Sequence, residues 1–94
     1  MKSIWKYQIP LEDKFSLEIH EGARILALQT QEDRPCIWCL VDNMKPRHVR
    51  HFETYGTGHV ITGAALDPGS QYIGTYQVRS IGTLVFHVFE VQKQ

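Results

Sequence analysis

Apolar residues recur at every second position along most of the chain, a period that is typical of β-strands rather than helices. Near the start, Trp5, Tyr7 and Ile9 alternate with Lys6 and Gln8. Successive side chains of a strand point to opposite faces of a sheet, so this pattern predicts a strand with one buried face.

Similar patterns predict strands over 15–20, 23–30, 36–42, 47–55, 71–78 and 84–91. The segment 36–42 is apolar on both faces, which favours a central strand. Gly74, inside 71–78, predicts a bulge or a close backbone approach. Turns are expected at 67–70, which reads Asp-Pro-Gly-Ser, and at 80–83. The glycine-containing segment 60–66 is interpreted as a loop, with a short helix over 61–66 as the alternative.

These elements predict an all-β fold: a small antiparallel β-sandwich or partly closed barrel of about seven short strands. The chain has 94 residues, so we expect 1–94 to form a single domain.

The balance of acidic and basic residues bears on which partners the protein can have. Ten basic and ten acidic residues give a formal net charge of zero. Duplex nucleic-acid binders normally carry a basic excess, because phosphate neutralisation supplies most of their affinity. We therefore expect no duplex nucleic-acid partner. A net charge near zero gives little protection against self-association, which favours a homo-oligomer.

The N-terminal sequence lacks the continuous apolar stretch of a signal peptide, because Lys6 and Gln8 interrupt it. No apolar run approaches the roughly 20 residues of a membrane helix. We therefore expect a soluble protein with no membrane partner, located in the cytoplasm, and two reduced cysteines.

Cys36 and Cys39 form a CxxC pair, which can bind zinc or form a redox disulfide. No second ligand pair follows it, and the pair lies inside a predicted strand. An offset of three places the thiols on opposite faces of that strand. Two buried cysteines without metal or redox function are therefore favoured.

The histidines and the basic residues are scattered. Five histidines occur, at positions 20, 48, 51, 59 and 87. Their spacing does not demand a metal site and we expect none, although strand packing can bring His51, His59 and His87 together. A basic cluster (Lys45, Arg47, His48, Arg50 and His51) can attract an anion, but a solvated strand face is favoured.

The segment Tyr55-Gly56-Thr57-Gly58-His59 is the most informative for function. Glycines on both sides of a threonine leave backbone N–H groups unobstructed, which predicts an anion-binding nest. We expect Thr57 and His59 to add hydrogen bonds and Tyr55 to offer a stacking face. The alternative is a tight connection that needs positive φ at both glycines, and it is favoured for a lone Gly-x-Gly motif. Trp38 or Tyr76 is the candidate for stacking on a base, and Tyr72 can serve similarly.

Catalysis has little support in the sequence. No serine or cysteine lies in a pattern that pairs a nucleophile with an oriented base. Glu53 and Glu90 are the candidate carboxylates, and nothing marks them out. We therefore expect a protein that is not an enzyme and needs no cofactor.

Several segments carry a resemblance to a known family. They are 4–7 (IWKY), 21–23 (EGA), 36–38 (CIW), 40–42 (LVD), 55–59 (YGTGH), 72–77 (YIGTYQ) and 84–90 (LVFHVFE). Together they resemble a family of small proteins of unknown function from bacteriophages and prophage-carrying bacteria. YGTGH and VFHVFE are the most specific parts. The resemblance implies a setting in the host cell cytoplasm and a role in countering host defence.

Three hypotheses follow. The first is an oligomeric binder that sequesters a small anionic ligand, such as a signalling nucleotide, through 55–59 with Trp38 or Tyr76. The second is a protein-binding module that inhibits a host protein through a strand edge or an aromatic patch. The third and weakest is a small enzyme.

Overall fold

The computed structural model describes residues 1–80 and 82–92. Seven strands and one 3₁₀ turn form within these residues. The strands are β1 (Lys2–Gln8), β2 (Lys14–His20), β3 (Arg24–Gln31), β4 (Arg34–Asp42), β5 (Arg47–Gly56), β6 (Gln71–Val78) and β7 (Leu84–Val91). The 3₁₀ turn is Ala64–Leu66. The predicted all-β fold is confirmed.

The strands form two antiparallel sheets. One sheet has three strands in the order β1-β4-β3, and the other has four in the order β2-β5-β7-β6. The two sheets pack face to face, with β3 of the first in contact with β6 of the second. Of the two architectures that the sequence predicts, the structure adopts the sandwich. Neither sheet closes into a barrel.

Alternating residues of both sheets meet in the core between them. The three-stranded sheet contributes Ile37, Cys39 and Val41, and the four-stranded sheet contributes Phe52 and Val88 among others. All five side chains are fully buried. Burying a side chain of this size stabilises the fold by about 1.5–3 kcal/mol. The period-two pattern therefore reflects the faces that the two sheets turn toward each other.

The CxxC cysteines are both free and buried, as the sequence predicts. Cys39 belongs to the core between the sheets, whereas Cys36 does not. The Cys36 thiol instead donates to the Arg34 carbonyl oxygen over 3.5 Å. The offset of three along β4 thus keeps the two sulfur atoms apart.

Gly74 lies at a bulge and also at a close approach of two strands, which are the two alternatives that the sequence predicts. The pairing of β6 with β7 shifts register between Tyr72 and Gly74, which marks a bulge. A Cβ at Gly74 would lie 3.4 Å from Leu28 Cδ2, so β3 and β6 approach closely there. The absence of a side chain allows the two sheets to meet at this edge.

Asp33 joins the β3–β4 turn of one sheet to the residues that follow β6 of the other. Asp33 lies in the two-residue β3–β4 turn with φ of 63°. Its carboxylate accepts hydrogen bonds from the backbone N–H groups of Arg79 (2.8 Å) and Ser80 (2.9 Å). These bonds hold the pKa of Asp33 below its usual value. Of the hairpin turn predicted at 80–83, Ile81 lies outside the described residues, and the Gly82 N–H donates to the Arg79 carbonyl over 3.3 Å.

The connection between β5 and β6 folds over the outer face of the four-stranded sheet, the face turned away from the core. Ala65 is buried at this contact, and so is the Glu53 side chain beneath it. The predicted loop is confirmed, and its helical part is limited to the one turn over Ala64–Leu66. The turn predicted at 67–70 is confirmed by the Ser70 N–H, which donates to the Asp67 carbonyl over 3.1 Å. Gly69 there has φ of 89°.

No helix in the described part of the chain is long and apolar enough to cross a membrane.

Candidate functional site

A cavity of about 260 Å³ lies between the outer face of the four-stranded sheet and the segment that follows β5. We call it the loop pocket. Its lining residues are Tyr55, Gly56, Thr57, Gly58, His59, Ile61, Tyr72, His87 and Phe89. All five residues of the YGTGH segment therefore lie in one cavity.

Strand pairing explains why the other lining residues meet that segment. Tyr55 of β5 lies opposite His87 of β7, and His87 lies opposite Thr75 of β6. Tyr72 lies opposite Phe89 in the same way. Directly opposed residues project their side chains to the same face of a sheet. Three strands thus present one continuous surface below the 57–61 segment.

Hydroxyl groups surround the His87 imidazole on both sides. Thr57 Oγ1 lies 2.7 Å from His87 Nε2. The Tyr72 hydroxyl and Thr75 Oγ1 lie 3.0 Å and 3.1 Å from His87 Nδ1, and they also hydrogen-bond to each other. A neutral imidazole donates from one nitrogen and accepts at the other, so hydroxyls can satisfy either tautomer. We call these four side chains the hydroxyl–imidazole network.

Three aromatic rings form the apolar part of the loop pocket. The Tyr72 and Phe89 ring centroids lie 5.1 Å apart at an interplanar angle of 69°. Tyr55 and Phe89 lie 6.1 Å apart at 78°. Edge-to-face pairs of this kind hold each ring at a defined angle. The cavity therefore offers ordered π-faces beside a polar network.

The backbone of the turn does not form the predicted anion-binding nest. The Thr57 N–H donates to the Val85 carbonyl (3.3 Å), and the His59 N–H donates to the Gly56 carbonyl (3.1 Å). Internal hydrogen bonds therefore use two of the N–H groups that a nest would aim at a ligand. Any anion contact in the loop pocket has to come mainly from side chains.

The two glycines of the turn serve different purposes. Gly58 has φ of 86°, as the tight-connection interpretation requires. The expected positive φ at Gly56 is wrong, because only Gly22, Gly58, Gly69 and Gly82 have it among the described glycines. At Gly56 a Cβ would lie 2.9 Å from His59 Cε1. This glycine makes room for an imidazole ring.

Trp38 and Tyr76, the two residues expected to stack on a base, do not reach the loop pocket. Trp38 lies on β4 opposite Lys6 and Ala27, in the three-stranded sheet. Tyr76 is only 4% exposed and packs in the core, with its ring centroid 5.4 Å from that of Phe86. Burial raises the pKa of Tyr76 to about 12. The sequence alone does not show which face of which sheet lies below the YGTGH segment.

His87, Phe89 and Ile61 line the pocket although the sequence did not predict them there, and Tyr72 was only a secondary stacking candidate. Their connection to YGTGH depends on the pairing of β5 with β7 and of β7 with β6. The signal in the sequence is weak: a polar His87 within the otherwise apolar LVFHVF segment.

A buried carboxylate supports the loop pocket from behind. Glu53 is 1% exposed. It accepts hydrogen bonds from the Ala64 N–H (3.0 Å), the Ala65 N–H (3.1 Å) and the Tyr55 hydroxyl (2.7 Å). The Tyr55 hydroxyl in turn accepts from the Gly63 N–H over 2.9 Å. Burial, together with the bond to Glu53, raises the pKa of Tyr55. Glu53 thus fixes both a wall of the pocket and the segment above it.

The predicted basic cluster does not act as a unit. Arg50 makes a bidentate ion pair with Glu90 (Nε–Oε2 2.6 Å, Nη2–Oε1 2.7 Å) and also donates to the Ala23 carbonyl. His48 pairs with Glu21 over 3.2 Å. Partners within the protein therefore occupy part of the cluster, and Glu90 takes a structural role.

The three histidines that strand packing was expected to bring together do not all meet. His51 Nδ1 lies 2.9 Å from Ser16 Oγ and does not line the loop pocket, whereas His59 and His87 do. No group of three or more His, Cys, Asp or Glu side chains suited to a metal ion occurs among residues 1–80 and 82–92.

Fold and site together define a two-sheet antiparallel β-protein with a small, aromatic-lined pocket on one outer face. The chain belongs to the family described as Domain of unknown function (DUF7352), whose model matches residues 1–94. Neither a curated protein nor a solved structure matches the chain.

Proposed function

We propose that the loop pocket binds a small planar ligand with an anionic group, such as a nucleotide, and that the protein acts by sequestering it without chemical change. The observation that carries this proposal is the meeting of three aromatic rings in one cavity with Thr57 and His87 of the hydroxyl–imidazole network. Binding sites for small molecules combine apolar walls with a few well-placed polar groups in this way.

The chemistry of the lining favours a planar ring with a polar edge. The π-faces of Tyr55, Tyr72 and Phe89 can stack on any nucleobase. Stacking of one base on an aromatic side chain contributes about 1–3 kcal/mol to binding. The hydroxyls of Thr57 and Tyr72, which His87 holds in place, retain hydrogen-bonding capacity for a polar edge. A ligand of this class uses both parts of the cavity.

Charge favours an anion over a cation. Among the lining residues there is no Asp or Glu, whereas His59 and His87 both contribute imidazoles. The His59 ring nitrogens make no hydrogen bond within the described residues, so this imidazole can donate to a phosphate oxygen. The Glu53 carboxylate lies behind Tyr55, where backbone N–H groups already satisfy it.

The proposed setting is sequestration of a host signal in the cytoplasm of a phage-infected cell, by a homo-oligomer. The resemblance of YGTGH and VFHVFE to phage and prophage proteins supports this setting. Plating efficiency of a defence-sensitive phage, with and without the expressed protein, tests the setting. Light scattering coupled to gel filtration tests the oligomer.

Calorimetry against a panel of linear and cyclic nucleotides tests binding itself. We expect micromolar or tighter affinity for at least one member. Tyr72→Ala removes a half-exposed stacking face and should weaken binding at least tenfold, since base stacking is worth about 1–3 kcal/mol. Trp38→Ala, in the other sheet, is the matched control and should leave binding unchanged. An absence of heat for every member of the panel contradicts the proposal.

A second candidate function is inhibition of a host protein through the outer face of the three-stranded sheet. The observation that favours it is an apolar strip on that face: Ile4 is 60% exposed and lies opposite Leu40, and Trp38 lies next along β4. Capture of a host protein by the tagged chain, lost in Ile4→Glu and retained in Tyr72→Ala, supports this candidate. Capture unchanged by Ile4→Glu counts against this face.

A further inference from the structure

His59 lies between two cavities of similar size. The loop pocket is on one side. On the other is a cavity of about 270 Å³ that we call the edge cavity, lined by Asp13, Lys14, Thr54, Tyr55, Gly56, His59, Val60, Thr62 and Phe86. Tyr55, Gly56 and His59 line both. The edge cavity lies beside the end of β5 on the side of β2, where the β2–β5 pairing starts at Lys14 and Glu53 and leaves Tyr55 and Gly56 paired with β7 alone.

The His59 ring rests directly on the backbone of Gly56. A Cβ there would lie 2.9 Å from His59 Cε1 and 3.0 Å from Nδ1. Gly56 belongs to β5 and lacks a positive φ, so its backbone does not require glycine. The glycine instead leaves space for the imidazole between the two cavities.

Contact alone holds the imidazole in that space. His59 is exposed, and within the described residues no hydrogen bond or ion pair engages its ring nitrogens. Exposed side chains change rotamer within picoseconds to nanoseconds. No hydrogen bond within the described residues therefore opposes rotation of the ring away from Gly56, a residue that lines both cavities.

The two cavities have complementary chemistry. The edge cavity is lined by two exposed charged residues, Lys14 and Asp13. The loop pocket contains aromatic rings and no Lys, Arg, Asp or Glu. A lysine ammonium donates to phosphate, and a carboxylate accepts from ribose hydroxyls. The aromatic rings suit a base.

We infer that His59 is a movable partition within one site, and that the site takes a nucleoside monophosphate, with the base in the loop pocket and the sugar and phosphate in the edge cavity. Each cavity alone is smaller than the roughly 300–1,000 Å³ typical of small-molecule sites, whereas the joined cavity falls inside that range. This inference rests on the proposed function and adds the part of the ligand that each cavity holds.

Two variants test separately the movement of the His59 ring and the contact between Lys14 and the phosphate. Gly56→Ala forces the His59 ring out of its position without demanding an unusual φ. Lys14→Ala removes the ammonium, and Lys6→Ala, on the three-stranded sheet, is its matched control. The probes are the four ribonucleosides and their 5′-monophosphates, titrated by calorimetry.

We expect at least one monophosphate to bind tenfold or more tightly than its nucleoside. Lys14→Ala should abolish that difference and leave nucleoside affinity unchanged, and Lys6→Ala should leave both unchanged. Gly56→Ala, checked for folding by circular dichroism, should bind the monophosphate at least as tightly as the wild-type protein. In NMR spectra, the contact between His59 Hε1 and the Gly56 α-protons should disappear when the monophosphate binds.

The outcomes distinguish the two proposals. Equal affinity for nucleoside and monophosphate, unaffected by Lys14→Ala, overturns the inference and leaves the proposed function standing. A His59–Gly56 contact that survives in the monophosphate complex also overturns it. No binding of any probe contradicts the proposed function itself.

Discussion

The Thr57 hydroxyl lies 2.7 Å from His87 Nε2, and this hydrogen bond joins the turn after β5 to the strand below it. The two residues are 30 positions apart in the chain. The pairing of β5 with β7 brings them together, so the bond is a property of the fold rather than of local sequence. It fixes the height of the turn above the aromatic rings.

Replacing Thr57 by valine should weaken ligand binding while leaving the fold nearly unchanged. Valine keeps the shape of threonine and removes the hydroxyl. A single hydrogen bond contributes about 0.5–1.5 kcal/mol, which corresponds to a loss of affinity of roughly three- to tenfold. Calorimetry measures the affinity. Thr57→Ser, which keeps the hydroxyl, should bind like the wild-type protein, and a Thr57→Val protein of unaltered affinity excludes the bond from ligand binding.

Replacing Glu53 by glutamine should destabilise the segment above the loop pocket. The carboxylate accepts three hydrogen bonds at a fully buried position, two at one oxygen and one at the other. In glutamine the amide nitrogen replaces one of these oxygens and cannot accept, so at least one of the three bonds is lost. We expect a loss of about 1–3 kcal/mol in the free energy of unfolding, measured in urea. Hydrogen exchange at Ala64 and Ala65 should accelerate.

Glu18 and Gly63 provide the comparisons for Glu53. Glu18→Gln, on the exposed face of β2, should change stability by less than about 0.5 kcal/mol. Gly63→Ala should act like Glu53→Gln, because a Cβ at Gly63 would overlap the Glu53 carboxylate. Equal stability of the Glu53 and Glu18 variants would mean that the carboxylate does not hold the segment.

Because of Cys39, the free energy of unfolding should be lower at alkaline pH than at neutral pH. Burial raises its pKa to about 11 in the folded protein, against 9.0 for an unperturbed thiol in the unfolded chain. Because the folded pKa is the higher one, this stability is fully present below pH 9 and is lost as the pH rises toward 11. Between pH 8 and pH 10 the loss amounts to about 1.4 kcal/mol. Urea unfolding at pH 8, 9 and 10 measures it.

The control for alkaline destabilisation is Cys39→Ala. Its absolute stability will fall because a buried side chain is shortened, so only the slope against pH is compared. The slope should be shallower than in the wild-type protein. Identical slopes would show that another group is responsible.

Removing one partner of the Arg50–Glu90 pair should be costly. The two side chains are 23% and 15% exposed, and the bond to Glu90 raises the pKa of Arg50. Breaking a buried pair costs about 3–5 kcal/mol, so partial exposure places the expected loss for Arg50→Met or Glu90→Gln at about 2–3 kcal/mol. Chemical denaturation measures each variant.

A double variant tests the cost predicted for breaking the Arg50–Glu90 pair, and the exposed contact between His48 and Glu21 serves as the comparison. Arg50→Met combined with Glu90→Gln should cost less than the two single losses together, because each single variant leaves one charge unpaired and the double variant leaves none. Glu21→Gln, which breaks the exposed pair with His48, should cost under about 1 kcal/mol. Simple additivity in the double variant would contradict a direct pairing energy.

The strands could be predicted from the sequence because burial on one face leaves a period of two that survives in each segment. The bounds of β6 and β7 agree with 71–78 and 84–91 residue for residue. The role of Gly74 was predictable too, since a glycine inside a β-rich segment usually marks a bulge or a close approach of two backbones.

The YGTGH segment could be identified as a candidate site, but its surroundings could not. Which strands lie below it depends on the order β2-β5-β7-β6, and a period-two pattern carries no information on strand order. Tyr76 and Tyr72 both lie on β6, yet the bulge before Gly74 and the pleat place Tyr76 in the core and Tyr72 in the loop pocket. Glu53 was unremarkable in the sequence because two of its three donors, the Ala64 and Ala65 N–H groups, lie in the connection that follows β5.

An NMR titration of the isotopically labelled protein with the nucleotide panel tests ligand binding at the loop pocket most directly. With at least one nucleotide, we predict saturable chemical-shift changes that are largest at residues 55–59 and at Tyr72, His87 and Phe89, and that are reduced in Thr57→Val. No change with any nucleotide at millimolar concentration, or changes confined to the three-stranded sheet, would contradict binding at this pocket.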